Sequence, residues 1–118
     1  MNDRILKCLY DMCQAIDYVE SFLRGKSFDD YLVDALLRSA VERQVEILCE
    51  SLNRIYKLDP AVATRITNYK KIIAFRNLLI SAYDSINNGQ VWSLIHQNFY
   101  TLREEVEKLK QDSESEVS

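Results

Sequence analysis

Residues 74–83 read Ala74-Phe75-Arg76-Asn77-Leu78-Leu79-Ile80-Ser81-Ala82-Tyr83 and form the most apolar helical stretch of the chain, with one arginine inside it. On a helix that turns about 100° per residue, Phe75, Leu78 and Leu79 share one arc, which is typical of a buried face. Arg76 falls on a neighbouring arc that is also apolar. Because a guanidinium keeps its charge, this position needs a carboxylate, a phosphate or water around it.

Two interpretations of Arg76 follow from this position. Arg76 is either a structural residue, which pairs with a carboxylate or extends its charged end to solvent, or it is part of a functional pocket. In the structural case we prefer Glu50 as its partner, one of a row of glutamates on the long helix predicted over residues 27–57. The helical pattern alone leaves both interpretations open.

The composition indicates an all-α protein with one domain. The chain has 118 residues, 47% of them hydrophobic, which suits one compact core and leaves no room for a second. It contains two glycines and one proline, so the turn residues that a sheet protein needs are scarce. We predict an up-and-down bundle of five helices in residues 1–110, followed by a flexible acidic tail in residues 111–118.

The apolar periodicity predicts four long helices and one short helix. The long helices cover residues 3–23, 27–57, 68–86 and 89–110. Ser27 caps the second of these, and Thr67 or Asn68 caps the third. Asp59-Pro60 predicts the start of the short helix over residues 60–65, because proline fits the first helical position. The second helix is the longest and its apolar positions are broadly spread, so we expect it at the centre of the bundle.

Several classes of protein are disfavoured by the sequence. No apolar run is long enough for a membrane span, and Met1-Asn2-Asp3-Arg4 does not begin a secretory signal, so we expect a cytoplasmic protein. Cys8, Cys13 and Cys49 occupy apolar helical positions without metal-ligand spacing. We therefore predict reduced core cysteines, no metal site and no cofactor.

The charge pattern points to local rather than general binding of nucleic acid. The formal net charge is −3, and the three acids of residues 111–118 account for it, so the rest of the chain is neutral. Residues 54–76 nevertheless hold six basic residues against one acid. We predict that Arg65, Lys70 and Lys71 form a positive rim there that is suited to phosphate contacts, with a simple solvated surface as the alternative.

The single histidine, His96, does not define an active site by itself. It lies on the last predicted helix, and the sequence offers no cysteine or serine motif to accompany it. A catalytic triad or a metal site needs several such groups at matching positions. The residues therefore give no argument for nucleophilic catalysis.

The segment of residues 74–83, followed by Ile86 and Val91-Trp92, resembles the signature of the HepT-like family of HEPN-fold proteins. The similarity includes Asp34-Ala35 and residues 45–51, and it spans most of residues 4–110. It implies a HEPN-like five-helix bundle that forms a homodimer with an RNA-cleaving cleft at the interface. It also implies a toxin–antitoxin pair, in which a small nucleotidyltransferase antitoxin silences the toxin by adenylylation (AMPylation) of a tyrosine.

The family motif consists of an arginine, four residues, a histidine, one residue and a tyrosine. Arg76 matches the arginine, Asn77 matches the polar residue that follows it, and Tyr83 matches the modified tyrosine. Ser81 occupies the histidine position. Histidine serves as the acid–base group because its pKa lies near neutrality, and serine cannot replace it. The resemblance thus implies a metal-independent endoribonuclease family, with RNA cleavage weak or lost in this member.

Two other functions remain open. The protein could be an active ribonuclease, in which Tyr83, Ser81 or the partner subunit's His96 transfers the proton. Alternatively, it could be a non-enzymatic module that binds a nucleotidyltransferase or a nucleotide, in which Arg76 is mainly structural.

Overall fold

The computed structural model describes residues 2–81 and 87–117, without the side chains of residues 80, 81, 116 and 117. Within these residues the chain forms six helices and no strand. The helices are α1 Asp3–Leu23, α2 Phe28–Val33, α3 Ala35–Leu58, α4 Pro60–Ala63, α5 Tyr69–Ser81 and α6 Asn88–Val117. The predicted all-α class is confirmed for this part of the chain. The predicted number of five helices is corrected to six, because one predicted helix is divided in two.

The predicted helix over residues 27–57 is interrupted at Asp34. This residue has φ −113° and ψ 97°, and its Oδ1 accepts a hydrogen bond from Leu37 N at 3.0 Å. It thereby caps α3, since it satisfies an amide that has no partner within the helix. Upstream, Ser27 caps α2 as predicted, in a capping box with Asp30. The periodicity missed the break because a polar residue at position 34 also fits the exposed side of an uninterrupted helix.

Helix α3 lies at the centre of the bundle, as its broad apolar pattern predicts. It packs against α1, α2, α4 and α5, while α6 packs against α1. Residues with no accessible surface include Leu9, Met12 and Ile16 on α1, Val41, Val45, Leu52 and Ile55 on α3, and Val91 and Val106 on α6. Each large aliphatic side chain buried in this way contributes about 1.5–3 kcal/mol. The position of α5 therefore follows from its packing on α3.

Helix α6 continues to Val117, beyond the predicted end of the bundle at residue 110. Asp112 Oδ2 lies 2.7 Å from Arg65 Nη2, and Ser113 is 1% exposed. The hydroxyl of Tyr10 on α1 donates a hydrogen bond to the carboxylate of Glu114. Asp112 and Glu114 thus contact the rest of the bundle, which periodicity could not show, while the flexibility predicted for residues 111–118 stays a prediction. The division of the chain at residue 110 itself stays a prediction.

The three cysteines are buried and unpaired, in agreement with their prediction as core residues. Burial is the main cause that raises the pKa of the Cys13 thiol to about 11, and a hydrogen bond to Glu107 adds to it. A thiol of this kind is protonated at neutral pH and behaves as a small apolar side chain.

We predict that Asp34→Ala lowers the free energy of unfolding by about 1 kcal/mol, because it removes the cap of α3. Asp34→Asn keeps an acceptor oxygen and should stay within about 0.5 kcal/mol of the unmodified protein. Urea denaturation followed by circular dichroism measures both values. Equal stability of the alanine variant and the unmodified protein would contradict the capping role.

Candidate functional site

The start of α5 is fixed by hydrogen bonds to α6. Thr67 donates its N–H and its hydroxyl to the two carboxylate oxygens of Glu105, at 3.0 Å and 2.9 Å. Asn68 Nδ2 donates to Oδ1 of the buried Asn98 at 3.1 Å. Asn68 has φ 62°, a left-handed conformation that asparagine tolerates better than most residues. The two residues predicted as caps thus use their side chains to tie the start of α5 to α6.

The side chains of α5 divide into buried, half-buried and exposed groups. Ile72, Phe75 and Leu79 are buried. The half-buried residues are Tyr69, Ile73, Arg76 and Leu78, and the exposed ones are Lys70, Lys71, Ala74 and Asn77. The predicted core arc is confirmed at Phe75 and Leu79. Arg76 therefore lies at the boundary between the core and solvent.

The guanidinium of Arg76 is partly enclosed, and one of its N–H groups has no acceptor. Its Nε is buried and has no hydrogen-bond partner among the described residues. Arg76 lies near Cys49 on α3, where burial raises the pKa of the thiol to about 12 and the positive charge of Arg76 opposes part of that rise. A buried donor without an acceptor costs about 1–3 kcal/mol. An anion that approaches from solvent cannot reach Nε, but it would find the other N–H groups of this half-buried guanidinium, and phosphate fits a guanidinium well.

The ion pair expected between Glu50 and Arg76 is replaced by a different pair. Glu50 Oε1 accepts a hydrogen bond from Arg54 Nη2 at 2.9 Å. Arg54 follows Glu50 by four residues on α3, so the two side chains are neighbours on the helix surface. The prediction that Glu50 serves as the structural partner of Arg76 is therefore corrected.

The three basic residues predicted to contact RNA phosphates lie in different surroundings. Lys70 and Lys71 are exposed in the first turn of α5, and Lys70 Nζ lies 6.0 Å from the ring centroid of Tyr69. Arg65 instead forms an ion pair with Asp112 at 2.7 Å. That pair partly neutralises Arg65 and directs it toward the end of α6. Contact of any of the three with RNA stays a prediction.

An aromatic pair near Arg76 was not predicted from the sequence. The rings of Tyr56 on α3 and Tyr69 on α5 stack with their centroids 5.9 Å apart and their planes at 27°. Tyr69 precedes Arg76 by seven residues, which places both on one face of α5, about 10 Å apart along the helix axis. That seven-residue spacing was the sequence signal by which Tyr69 could have been placed on the same face as Arg76. Tyr56 could not be found in this way, because its contact with Tyr69 depends on how α3 packs on α5.

The other motif positions follow Arg76 along the chain. Asn77 is exposed, and Ser81 is the last residue of α5. Helical geometry places residue 81 one turn after residue 77, on the same side of the helix. The side chain of Ser81 and all of Tyr83 lie outside the described residues. The roles assigned to Asn77, Ser81 and Tyr83 therefore stay predictions.

His96 is exposed on α6, on a side of that helix that faces α1. Its ring stacks on Trp92 with a centroid distance of 4.2 Å, and its Nδ1 lies 2.8 Å from the backbone oxygen of Trp92. It also borders a cavity of about 340 Å³ between α1 and α6, next to Glu20 and Arg24. These contacts give His96 no described partner for acid–base chemistry within one subunit.

The described part of the chain lacks two further kinds of feature. No helix among residues 2–81 and 87–117 combines the length and the apolar content that a membrane crossing requires. In the same residues, no group of three or more His, Cys, Asp or Glu side chains is arranged to hold a metal ion.

Comparison with known proteins identifies relatives that are named as ribonucleases. A Thermococcus cleftensis protein named "Probable ribonuclease HepT" is 28% identical over 106 residues, which cover 86% of this chain and 92% of that protein. A Methanocaldococcus jannaschii protein named "Gamma-glutamylcyclotransferase and putative RNase" is 23% identical over 104 residues, which cover 88% of this chain. The chain spans about half the length of this second relative, since the match covers 46% of it.

No solved structure was found to match the chain. The model of the HepT-like family, described as "Ribonuclease HepT-like", matches residues 12–109. The match includes all of the helices α2 to α5 and most of α1 and α6. The chain therefore belongs to the HepT-like ribonuclease family.

Proposed function

We propose that this protein is a homodimeric HepT-like component of a toxin–antitoxin system, in which RNA cleavage is weak or lost. The observation that carries the proposal is the state of Arg76, whose buried Nε has no acceptor among the described residues. Arg76 also has no ion pair among the described residues, so an RNA phosphate that binds the outer N–H groups of this half-buried guanidinium supplies the negative charge that it lacks. The family membership of the chain supports RNA as the source of that phosphate.

The proposed chemistry divides between Arg76 and position 81. In metal-independent cleavage one group takes the proton of the ribose 2′-hydroxyl and another protonates the leaving oxygen. Histidine performs such transfers near neutral pH, whereas the hydroxyl of Ser81 does not. Arg76 still binds the scissile phosphate and stabilises the charge that develops on it, with Asn77 beside it. The missing acid–base group lowers the rate by about 10²- to 10⁴-fold.

The surroundings of Arg76 support RNA binding on α5. Lys70 and Lys71 are exposed and add positive charge to the same helix. The stacked rings of Tyr69 and Tyr56 offer surfaces on which bases can stack, a contact that does not depend on base sequence. Arg65 joins this surface when its ion pair with Asp112 opens. We therefore expect binding with strong salt dependence and little sequence preference.

The proposed partners rest on the resemblance to the HepT-like family. A second copy of the chain completes the cleft, and a small nucleotidyltransferase antitoxin silences it by adenylylation of Tyr83. The exposed side of α5, with Lys70, Ala74 and Asn77, leaves room for both. We expect the protein to act in the cytoplasm, without a metal or cofactor, through the domain of residues 1–110.

An active ribonuclease is the second candidate, and the exposure of His96 favours it. An exposed imidazole is accessible to the cleft of a second subunit, where it could transfer the proton that Ser81 cannot. Tyr83 and Ser81 are the other groups that could act in this candidate mechanism. The third candidate, a binding module without activity, requires Arg76 to be a structural residue.

We predict slow RNA cleavage by the purified protein and cleavage about 10²- to 10⁴-fold faster by Ser81→His. The histidine restores the acid–base group at the family position. Initial rates on end-labelled RNA in the presence of a chelator measure the difference. Ser81→Ala is the matched control and should cleave as slowly as the unmodified protein. Robust cleavage by the unmodified protein that disappears in Arg76→Ala would establish the active ribonuclease instead.

We predict that Tyr83 accepts adenylate when the protein is co-expressed with a partner nucleotidyltransferase. Intact-mass spectrometry should show added adenylate on the unmodified protein and none on Tyr83→Phe. Tyr100→Phe, a change at an exposed tyrosine on α6, should leave the modification unchanged. An identical mass with and without the transferase would count against the modification.

We predict that Arg76→Met does not lower the free energy of unfolding and raises it by up to about 1–3 kcal/mol, because no ion pair among the described residues is lost and a buried N–H without an acceptor is removed. Arg103→Met is the comparison, since Arg103 lies 2.7 Å from Asp17 and 2.8 Å from Glu20. Its loss should lower stability by about 1 kcal/mol. Chemical denaturation measures both changes. A loss of about 3–5 kcal/mol in Arg76→Met would indicate a buried ion pair and a structural arginine.

A further inference from the structure

A cavity of about 520 Å³ lies between the start of α1 and the end of α3. Its volume falls in the range that small-molecule sites occupy in proteins. The charged residues that line it are Arg4, Lys7, Arg54 and Lys57 on the basic side, and Asp3 and Asp11 on the acidic side. The cavity shares no residue with α5, so its properties are independent of Arg76.

The charges in the cavity leave an excess of two positive charges, from four basic and two acidic side chains. Lys7 Nζ is paired with Asp11 Oδ1 at 2.5 Å, and Arg54 is paired with Glu50 at 2.9 Å. Arg4 and Lys57 have no ion pair among the described residues, so their donors remain available. Positive charges that line a concave surface reinforce one another's potential and attract anions to it.

The wall of the cavity also has an apolar part. Leu58 and Cys8 line it, and Cys8 is 6% exposed. Burial raises the pKa of the Cys8 thiol, and the charge of Asp11 adds to the rise, so the thiol stays protonated. The methylene groups of the lysine and arginine side chains extend this apolar surface. The cavity therefore combines an anion-binding edge with an apolar wall.

We infer that this cavity binds the phosphate monoester group of a nucleotide, with the base or sugar against the apolar wall. Once the pair of Arg54 with Glu50 is counted, the excess is one positive charge, so the number of acceptor oxygens favours phosphate rather than the charge. A phosphate monoester offers three strong acceptor oxygens for Arg4 and Lys57 to share, whereas a carboxylate offers two. Arginine donates to phosphate through two parallel N–H groups, and lysine contributes a point charge. Arg4 and Lys57 are the residues that hold the phosphate. The same group is present on a free mononucleotide and on a phosphorylated end of RNA.

Isothermal titration calorimetry with adenosine monophosphate tests the site, with adenosine as the matched probe without phosphate. Adenosine monophosphate should bind in low salt, at least about tenfold more tightly than adenosine, and more weakly as the salt concentration rises. The double variant Arg4→Glu with Lys57→Glu should reduce its affinity at least about tenfold. The control pair Lys26→Glu with Lys108→Glu makes the same charge change at exposed positions elsewhere, and should change affinity less than about twofold.

Amide chemical shifts locate the bound ligand in the unmodified protein, so this arm does not depend on the folding of a variant. Changes on addition of adenosine monophosphate should cluster in residues 3–11 and 54–58. Changes confined to α5, equal binding of adenosine, or unaltered affinity in the cavity double variant would each overturn the inference.

Short RNAs with a 5′-phosphate and with a 5′-hydroxyl identify the source of the phosphate. Preference for the phosphorylated RNA, lost in the cavity double variant, supports the end of RNA as the ligand. Equal binding of the two RNAs, together with specific binding of adenosine monophosphate, supports a free nucleotide. None of these measurements uses RNA cleavage, so their outcome is separate from that of the proposed function.

Discussion

The packing of α3 between α1 and α5 is the constraint on which the rest of the structure depends. Val45, Leu48 and Leu52 on α3 are almost completely buried, and α3 packs against both α1 and α5. On the side of α5, this packing brings Arg76 next to Cys49 and Tyr69 onto Tyr56. On the side of α1, it forms the cavity lined by basic residues. Both candidate sites therefore depend on the same apolar contacts.

The distribution of charge shows why composition alone understates the anion-binding capacity of this chain. A body of residues with equal numbers of acids and bases is formally neutral, yet many of its charges are used in local pairs. Arg54 pairs with Glu50, and Arg65 pairs with Asp112. Arg76 has no such pair among the described residues. Its charge is therefore available to an anion even though the composition as a whole is neutral.

The sequence was sufficient for features that depend on local chemistry. The bounds of α1, the cap of α2 at Ser27 and the start of α4 at Pro60 follow from apolar spacing and from residues with strong positional preferences. The cap at Asp34 uses equally local chemistry, but a polar residue within a helical pattern also fits an exposed surface. The break between α2 and α3 was therefore missed.

Features that depend on contacts between distant parts of the chain could not be predicted. The ion pair of Arg65 with Asp112 joins residues far apart in sequence and attaches one of the acids near the C terminus to the bundle. The partner of Glu50 was also mistaken, because a neighbour on the same helix competes with Arg76. The periodicity identified Arg76 as an anomaly, whereas the significance of Ser81 and Tyr83 came from resemblance to a family.

The central claim is that the guanidinium of Arg76 binds an RNA phosphate, and RNA affinity tests it most directly. Fluorescence anisotropy with a short labelled RNA that lacks the reactive 2′-hydroxyl measures binding separately from cleavage. A charge-assisted hydrogen bond of this kind is worth about 1.5–3 kcal/mol, so Arg76→Ala should bind at least about tenfold more weakly than the unmodified protein. Equal affinity of the two proteins, with the fold intact by circular dichroism, would contradict the claim.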